Sequence, residues 1–239
     1  MSEDSLPTNA SEHLLSTSVG RLNRLRAAVL GCNDGITSVA GLVVGVAAAT
    51  SGTKALLLVG LSGLLAGALS MGGGEYTSVR AQRDSHDALI RAQRAELIET
   101  PGEELDELTF LYVQKGLPLS LAREVAAELT KCNALAAHVD AELGLDLGDL
   151  VSPWEAAGVS ALSFSLGGSL ALVAVVLPTH ALRIPVCVGA VLLGLAVTGY
   201  VAALLGASPK GRSTLRNVAI GGGTMAATFL LGSIGHSVI

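Results

Sequence analysis

The carboxylate of Asp34 stands in GCNDGITSVAG, about two helical turns inside an apolar run that begins near Ala27. An ionised acid at that depth of a hydrocarbon layer costs about 3 kcal/mol even on the lenient insertion scale. It is kept where it faces a polar cavity, binds a cation or holds a proton. A hydrogen bond to a neighbouring helix is the plainer use. Asn33 beside it adds an amide oxygen, and Gly31 and Gly35 allow close backbone approach. In a second apolar run, Met71 and Glu75 are four residues apart and share a helix face. A thioether and a carboxylate can both meet a soft-to-borderline divalent cation. Met in such a run is otherwise a packing residue, and an acid at its end is otherwise interfacial, with its head in water. A third set lies in a hydrophilic segment. Glu96 and Glu99 are three apart, as are Glu104 and Glu107, while His138 and Glu142 are four apart; Glu103 is a further candidate beside Glu99. Carboxylates with one imidazole suit Fe²⁺, Mn²⁺ or Zn²⁺. The plainer interpretation is a solvated face, with Arg91, Arg94 and Lys131 available to pair with some of the acids.

The elements that must position these residues follow from hydropathy. The chain has 239 residues, half of them hydrophobic, and a mean hydropathy of +0.58. The aliphatic residues fall into runs of about 20, the length that crosses a hydrocarbon core as a helix. The 29 glycines would be costly in soluble helices and are ordinary in membrane ones, where small residues permit close packing. Five spans are expected, at about 27–50, 55–76, 155–177, 182–206 and 215–234. The fold class is therefore an all-α integral membrane protein with five transmembrane helices and a helical insert between spans two and three. Residues 1–24 read as a disordered tail, 25–76 as the first two spans, 77–152 as the insert and 153–239 as the last three spans. Within the insert, a helix continues from span two to about Glu99, and Pro101 and Gly102 break it, with Thr100 placed to cap the next. That helix runs to about Lys115, and a third covers about Ser120 to Leu143. Trp154 sits where an interfacial anchor belongs.

Charge sets the orientation. Thirteen of the fifteen Lys and Arg fall in the tail, the insert and the connection before span five, leaving Lys54 and Arg183 on the other side. The positive-inside rule then places the N-terminus and the insert in the cytoplasm and the C-terminus outside. The insert also holds 14 of the 20 acids. Cys32, Cys132 and Cys187 are odd in number and far apart, with no disulfide framework or paired zinc motif. Phosphate-loop, GxSxG and HExxH patterns are absent from the sequence, so ATP-driven transport and hydrolase chemistry have no support.

Three segments together resemble the vacuolar iron transporter family, especially its bacterial members. They are GCNDGITSVAGLVVGVAAA in span one, LLAGALSMGGGEYTSVRAQRD in span two, and ELIETPGEEL followed by AELGL in the insert. The similarity runs from about Leu25 to Ile239. It implies a five-helix homodimer with a cytoplasmic three-helix metal-binding domain, exchanging Fe²⁺, often also Mn²⁺, for protons. It also implies that Asp34 is the family's intramembrane Asp, that Met71 is the Met of its second span, and that Glu96, Glu104, Glu107 and Glu142 are metal-binding glutamates. Three positions depart. Gly63 stands where the plant-type pattern has a Glu, Gln93 where another insert Glu is expected, and His138 where a Met precedes the last Glu. The loss at position 63 leaves Glu75 as the only acid of span two.

The expected function is proton-coupled export of Fe²⁺ or Mn²⁺ from the cytoplasm, with no enzymatic activity and no tightly bound cofactor. Asp34, Asn33, Met71 and Glu75 are the expected path. Glu96, Glu104, Glu107, His138 and Glu142 are the expected insert ligands, with Glu99 and Glu103 as additional ones and Zn²⁺ as a further candidate ion. The partners are metal ions, protons, membrane lipid and a second copy of the chain, with no nucleic acid. The lack of a targeting segment favours a plasma membrane. The alternative is a membrane-anchored metal-binding or ferroxidase module without transport. Oxidation at two irons calls for Glu-x-x-His patterns, and the insert has none.

Overall fold

The computed structural model describes residues 8–50, 52–144 and 152–238, and among these described residues it has seven α-helices. In chain order they are α1 (Thr8–Ala49), α2 (Thr53–Glu99), α3 (Pro101–Gln114), α4 (Leu119–Leu143), α5 (Pro153–Val176), α6 (Arg183–Leu205) and α7 (Lys210–Val238). No strand occurs among the described residues. A 3-10 turn, His180–Leu182, joins α5 to α6. Among the described residues, five helical stretches are long and apolar enough to cross a membrane: Leu25–Ala49, α2, α5, His180–Leu205 and Lys210–Gly235. Residues 1–7 of the expected tail lie outside the described residues. α1 begins at Thr8, inside that tail, where Val19, Leu22 and Leu25 recur at helical spacing.

The chain divides into two compact units, one built around Ser78–Ser152 and the other from Thr17–Thr77 with Pro153–Ile239. The apolar unit is organised by small residues. A methyl group at Gly35 would land on the Phe164 carbonyl, and one at Gly167 on the Cys32 carbonyl, so α1 and α5 meet backbone to backbone. Around this seam Ile36, Val39, Val43, Leu56, Phe164, Val175, Val191 and Leu195 form the buried core. Large aliphatic side chains such as Leu58, Leu65, Leu69, Leu166 and Leu231 point outward, as they must when the solvent is lipid. Trp154 is 75% exposed and its ring lies 4.6 Å from that of Tyr76, tilted at 48°, a pairing expected of aromatic anchors at a membrane surface. Arg183 is buried and donates from Nη2 to Thr53 Oγ1, tying the start of α6 to the start of α2.

In the polar unit α3 packs on α4. The two breaks fall where Pro and Gly put them: Pro101 opens α3, Gly116 at φ 101° ends the next turn, and Gly144 at φ 59° closes α4. Two details differ from expectation. Thr100 does not cap α3; its hydroxyl donates back to the Glu96 carbonyl at 3.3 Å. The Thr100 carbonyl instead accepts from the Glu104 amide at 3.1 Å, and Pro101 removes one of the donors a cap would serve. The third helix is also not continuous. Asn133 is extended at φ −164°, ψ 92°, and its side-chain oxygen accepts from the Ala136 amide at 3.1 Å. Asn is a strong N-cap residue, so it stops one segment and caps the next, which carries His138 and Glu142.

Candidate functional site

In the apolar unit, a cavity of about 500 Å³ is lined by Asp34, Ser38 and Leu42 of α1, by seven residues of α2 from Gly63 to Glu75, and by Phe164 of α5. Helical periodicity explains the lining. Asp34, Ser38 and Leu42 are four apart on one stripe of α1, and Gly63, Gly67, Met71 and Glu75 are four apart on one stripe of α2. Gly63, Gly67 and Gly74 keep the α2 wall thin. Asp34, Met71 and Glu75 are each half-buried there. Asp34 Oδ1 accepts a hydrogen bond from Ser38 Oγ at 2.9 Å. Two carboxylates, a thioether and the hydroxyls of Ser38 and Ser70 thus share one cavity. Three of the four residues expected on the path are brought together.

Asn33 is not among them. Its amide oxygen faces α6 and α7, accepting from Asn217 Nδ2 at 2.7 Å and from Thr198 Oγ1 at 3.2 Å. It lines a different cavity, of about 330 Å³, with Arg26, Leu30 and Asn217. Asn33 and Asp34 are consecutive on a helix and so point about 100° apart. Sequence reasoning also missed Ser38 and Ser70. Ser38 carried a signal, standing four residues after Asp34. Gly63, where the plant-type acid is missing, does line the cavity, and a methyl there would meet Leu42 Cδ1 at 2.6 Å. Leu42 thus occupies the space beside the missing side chain.

The polar unit gathers the other set. Gln93, Glu104 and His138 are buried, at 5%, 6% and 0% exposure. Gln93 Nε2 donates to Glu104 Oε2 at 2.6 Å and lies 3.4 Å from His138 Nδ1, which in turn lies 3.5 Å from Glu104 Oε2. His138 Nε2 is buried without a hydrogen-bond partner. Burial pushes the Glu104 carboxyl up; the His138 ring offsets this, and the charges of Glu107 and Glu96 add to it. Glu142 is pushed up to about 7, first by partial desolvation, then by a hydrogen bond it shares with Glu107, then by the charges of Glu107, Glu104 and Glu96. When protonated, Glu142 is the donor in that pair. Electrostatics therefore couples the buried Glu104 to the exposed Glu96, Glu107 and Glu142; Glu99 and Glu103, also exposed, take no part in it.

Crowding is not yet coordination. Among the described residues no three His, Cys, Asp or Glu side chains are placed to hold a metal ion. The glutamates are near enough to raise one another's proton affinity, yet their oxygens do not converge on a point. Gln93 contributes to this: its amide already satisfies Glu104, and an ionised acid there could not donate that bond.

The sequence pattern of the VIT family matches residues 25–233. The chain belongs to the VIT family. It is 35% identical to "Vacuolar iron transporter" of Acanthamoeba castellanii over 223 residues, covering 93% of this chain and 82% of that protein. It is 34% identical to "Vacuolar iron transporter homolog 3" of Arabidopsis thaliana, covering 92% and 88% of the two chains. It is 38% identical to "Vacuolar iron transporter homolog 1" of Oryza sativa subsp. japonica, covering 88% and 73%. Membership spans both units, since the matched residues include the cavity stripes of α1 and α2 and all of α3 and α4. This is a multi-pass membrane protein of a transporter family, as the resemblance of its motifs implied.

Proposed function

We propose that the protein exports Fe²⁺ or Mn²⁺ from the cytoplasm in exchange for protons. The observation that carries this is the shared cavity of Asp34, Met71 and Glu75, in a chain whose relatives are named vacuolar iron transporters. Two carboxylates and a thioether make a set that a borderline divalent ion enters and leaves. Protonating the carboxylates removes both the charge and the lone pairs that hold the ion, so proton entry and metal release are one event at this site. Fe²⁺ and Mn²⁺ are favoured alike by oxygen donors, and supply would choose between them.

Ser38, Ala66 and Ser70, on the cavity walls, are exposed in the single chain. A polar groove at that depth is costly against lipid. A second copy closing it makes a homodimer with two sets of Asp34, Met71 and Glu75 around one path. The acidic insert, on the cytoplasmic side by the distribution of Lys and Arg, gathers the ion and buffers it. The membrane is the cell membrane, with the C-terminus outside.

Proteoliposomes loaded with a proton-sensitive dye test the proposal. Fe²⁺ or Mn²⁺ entry should drive proton movement in the opposite direction, and Asp34→Asn should abolish it. Normal flux in that variant removes Asp34 from the mechanism. A wild-type protein that moves no ion leaves the membrane-anchored binding module as the better description. Glu→Ala changes in the insert should then weaken metal binding without any transport to affect.

A further inference from the structure

At the depth of Asp34, α1 has three distinct faces. One carries Gly31 and Gly35, pressed on the backbone of α5; a methyl at Gly31 would lie 3.0 Å from the Ser160 carbonyl. The roughly opposite face carries Asn33. Its Oδ1 accepts from both Asn217 and Thr198. The Leu195 carbonyl fixes which way these amides turn. It can only accept, and it lies 3.3 Å from Asn217 Nδ2, so Asn217 presents its amino group and Asn33 must present its oxygen. Gly199 lets the clasp form, because a methyl there would lie 3.0 Å from Thr214 Cα and 3.1 Å from Asn217 Cβ. The third face carries Asp34, with Ser38, in the cavity.

We infer that Asn33, Thr198 and Asn217 are positioning residues, an interhelical clasp that fixes the rotation of α1 and so aims Asp34 into the cavity. The inference rests on the transport reading of that cavity. None of the three lines it. The glycine seam alone permits α1 to roll, since it is a contact of smooth backbone surfaces. A hydrogen-bonded amide pair on the far side does not, because rolling in either direction pulls Asn33 Oδ1 away from both of its donors. A roll of α1 would carry Asp34 away from Met71 and Glu75. The clasp also ties α6 and α7 to the helix that bears the acid, so a shift of either would be felt at the cavity.

The test uses full-length protein in proteoliposomes, with Fe²⁺ uptake measured over a range of concentration and pH beside thermal unfolding in detergent. Asn217→Leu should raise the KM for Fe²⁺ about five-fold and displace the pH midpoint of uptake. Thr198→Val, nearly the same shape and lacking one donor, should move both in the same direction by about two-fold. It decides the matter if Asn217→Leu is not recovered folded. Cys187→Ala is the packing control. Cys187 is buried between α6 and α5, with Sγ 3.6 Å from the Ala171 carbonyl, and its loss should lower the unfolding temperature while leaving KM and the pH profile unchanged. The clasp is overturned if both clasp variants keep the wild-type KM and pH profile while Asp34→Asn is inactive. It is also overturned if Cys187→Ala raises KM as much as they do. A wild-type protein that moves no Fe²⁺ overturns the transport reading and the clasp with it, whereas an active Asp34→Asn removes Asp34 from the mechanism and overturns the clasp alone.

Discussion

The cavity of the apolar unit and the cluster of the polar unit hold similar groups and arrange them differently. The cavity has room, about 500 Å³, and few charges, set on separate helices and kept apart by glycines. The insert crowds its acids, so that partial desolvation and the neighbouring Glu107, Glu104 and Glu96 raise the proton affinity of Glu142, while the Gln93 amide donates to Glu104. A site that must release its ion every cycle gains from sparse, half-buried ligands whose proton affinity decides occupancy. A site that only has to keep metal nearby gains from redundancy. Changes that remove one group should therefore be drastic in the cavity and graded in the insert.

Asp34→Asn should show the largest effect. It keeps the shape of the side chain and its contact with Ser38, and removes only the charge and the exchangeable proton. Metal-dependent proton flux in proteoliposomes should fall to background. Glu75→Gln comes next, with transport lowered about ten-fold, the cost of roughly 1.4 kcal/mol of ion binding. Glu75 lies at the end of the cavity, one residue before Tyr76, whose ring lies against that of the exposed Trp154. Transport intact in Glu75→Gln would return that residue to the role of an interfacial acid.

The contrast between the two regions was partly legible in the sequence, and the divide follows interaction range. Helix existence, the five apolar stretches and the breaks at Pro101 and Gly116 are set by residues within a turn or two, and periodicity reads them. The grouping of Asp34 with Met71 and Glu75 rested on the resemblance of the motifs to a family and on the four-residue spacing of Met71 and Glu75; the Asp34–Ser38–Leu42 stripe emerged only in the structure. That Asn33 faces α6 and α7 and not the Asp34 cavity was not legible, because which face of α1 meets α6 depends on Thr198 and Asn217, more than 160 residues away. Thr100 looked like a cap and is not one, since local hydrogen bonding offered its hydroxyl the Glu96 carbonyl instead. The break at Asn133 left a weak signal, an N-cap residue within a long helical run, that hydrophobic spacing overrode.

Gln93→Glu sharpens the insert side of the comparison. It supplies the acid that the resemblance leads one to expect and removes the donor that satisfies Glu104. In metal-free full-length protein, a second buried carboxylate beside Glu104 should destabilise the polar unit by about 1–3 kcal/mol, the cost of an unsatisfied buried group. A lower unfolding temperature at pH 8, recovered on adding Mn²⁺, is the expected result, with apparent metal affinity in the insert increased. An unchanged unfolding temperature would mean that Gln93 is not what stabilises Glu104 in the metal-free state.

The smallest effect is one of pH, and its sign is fixed by Glu142. Its carboxyl is raised from an ordinary 4.5 to about 7, so the folded insert binds a proton more tightly than the unfolded chain does. The resulting stabilisation is fully present below about pH 4.5 and is lost as pH rises through 7. A cation must displace that proton, so Mn²⁺ binding to the insert should release protons below pH 7 and none well above it. Apparent affinity should climb across the same interval and then level off. Calorimetric titrations of the full-length protein with Mn²⁺, in buffers of different ionisation enthalpy, count the protons released. Glu142→Gln should flatten the pH dependence there while leaving the Asp34-dependent proton flux in place. If both pH dependences vanish together in that variant, the cavity and the insert titrate as one site, and the division drawn between a releasing site and a storing one fails.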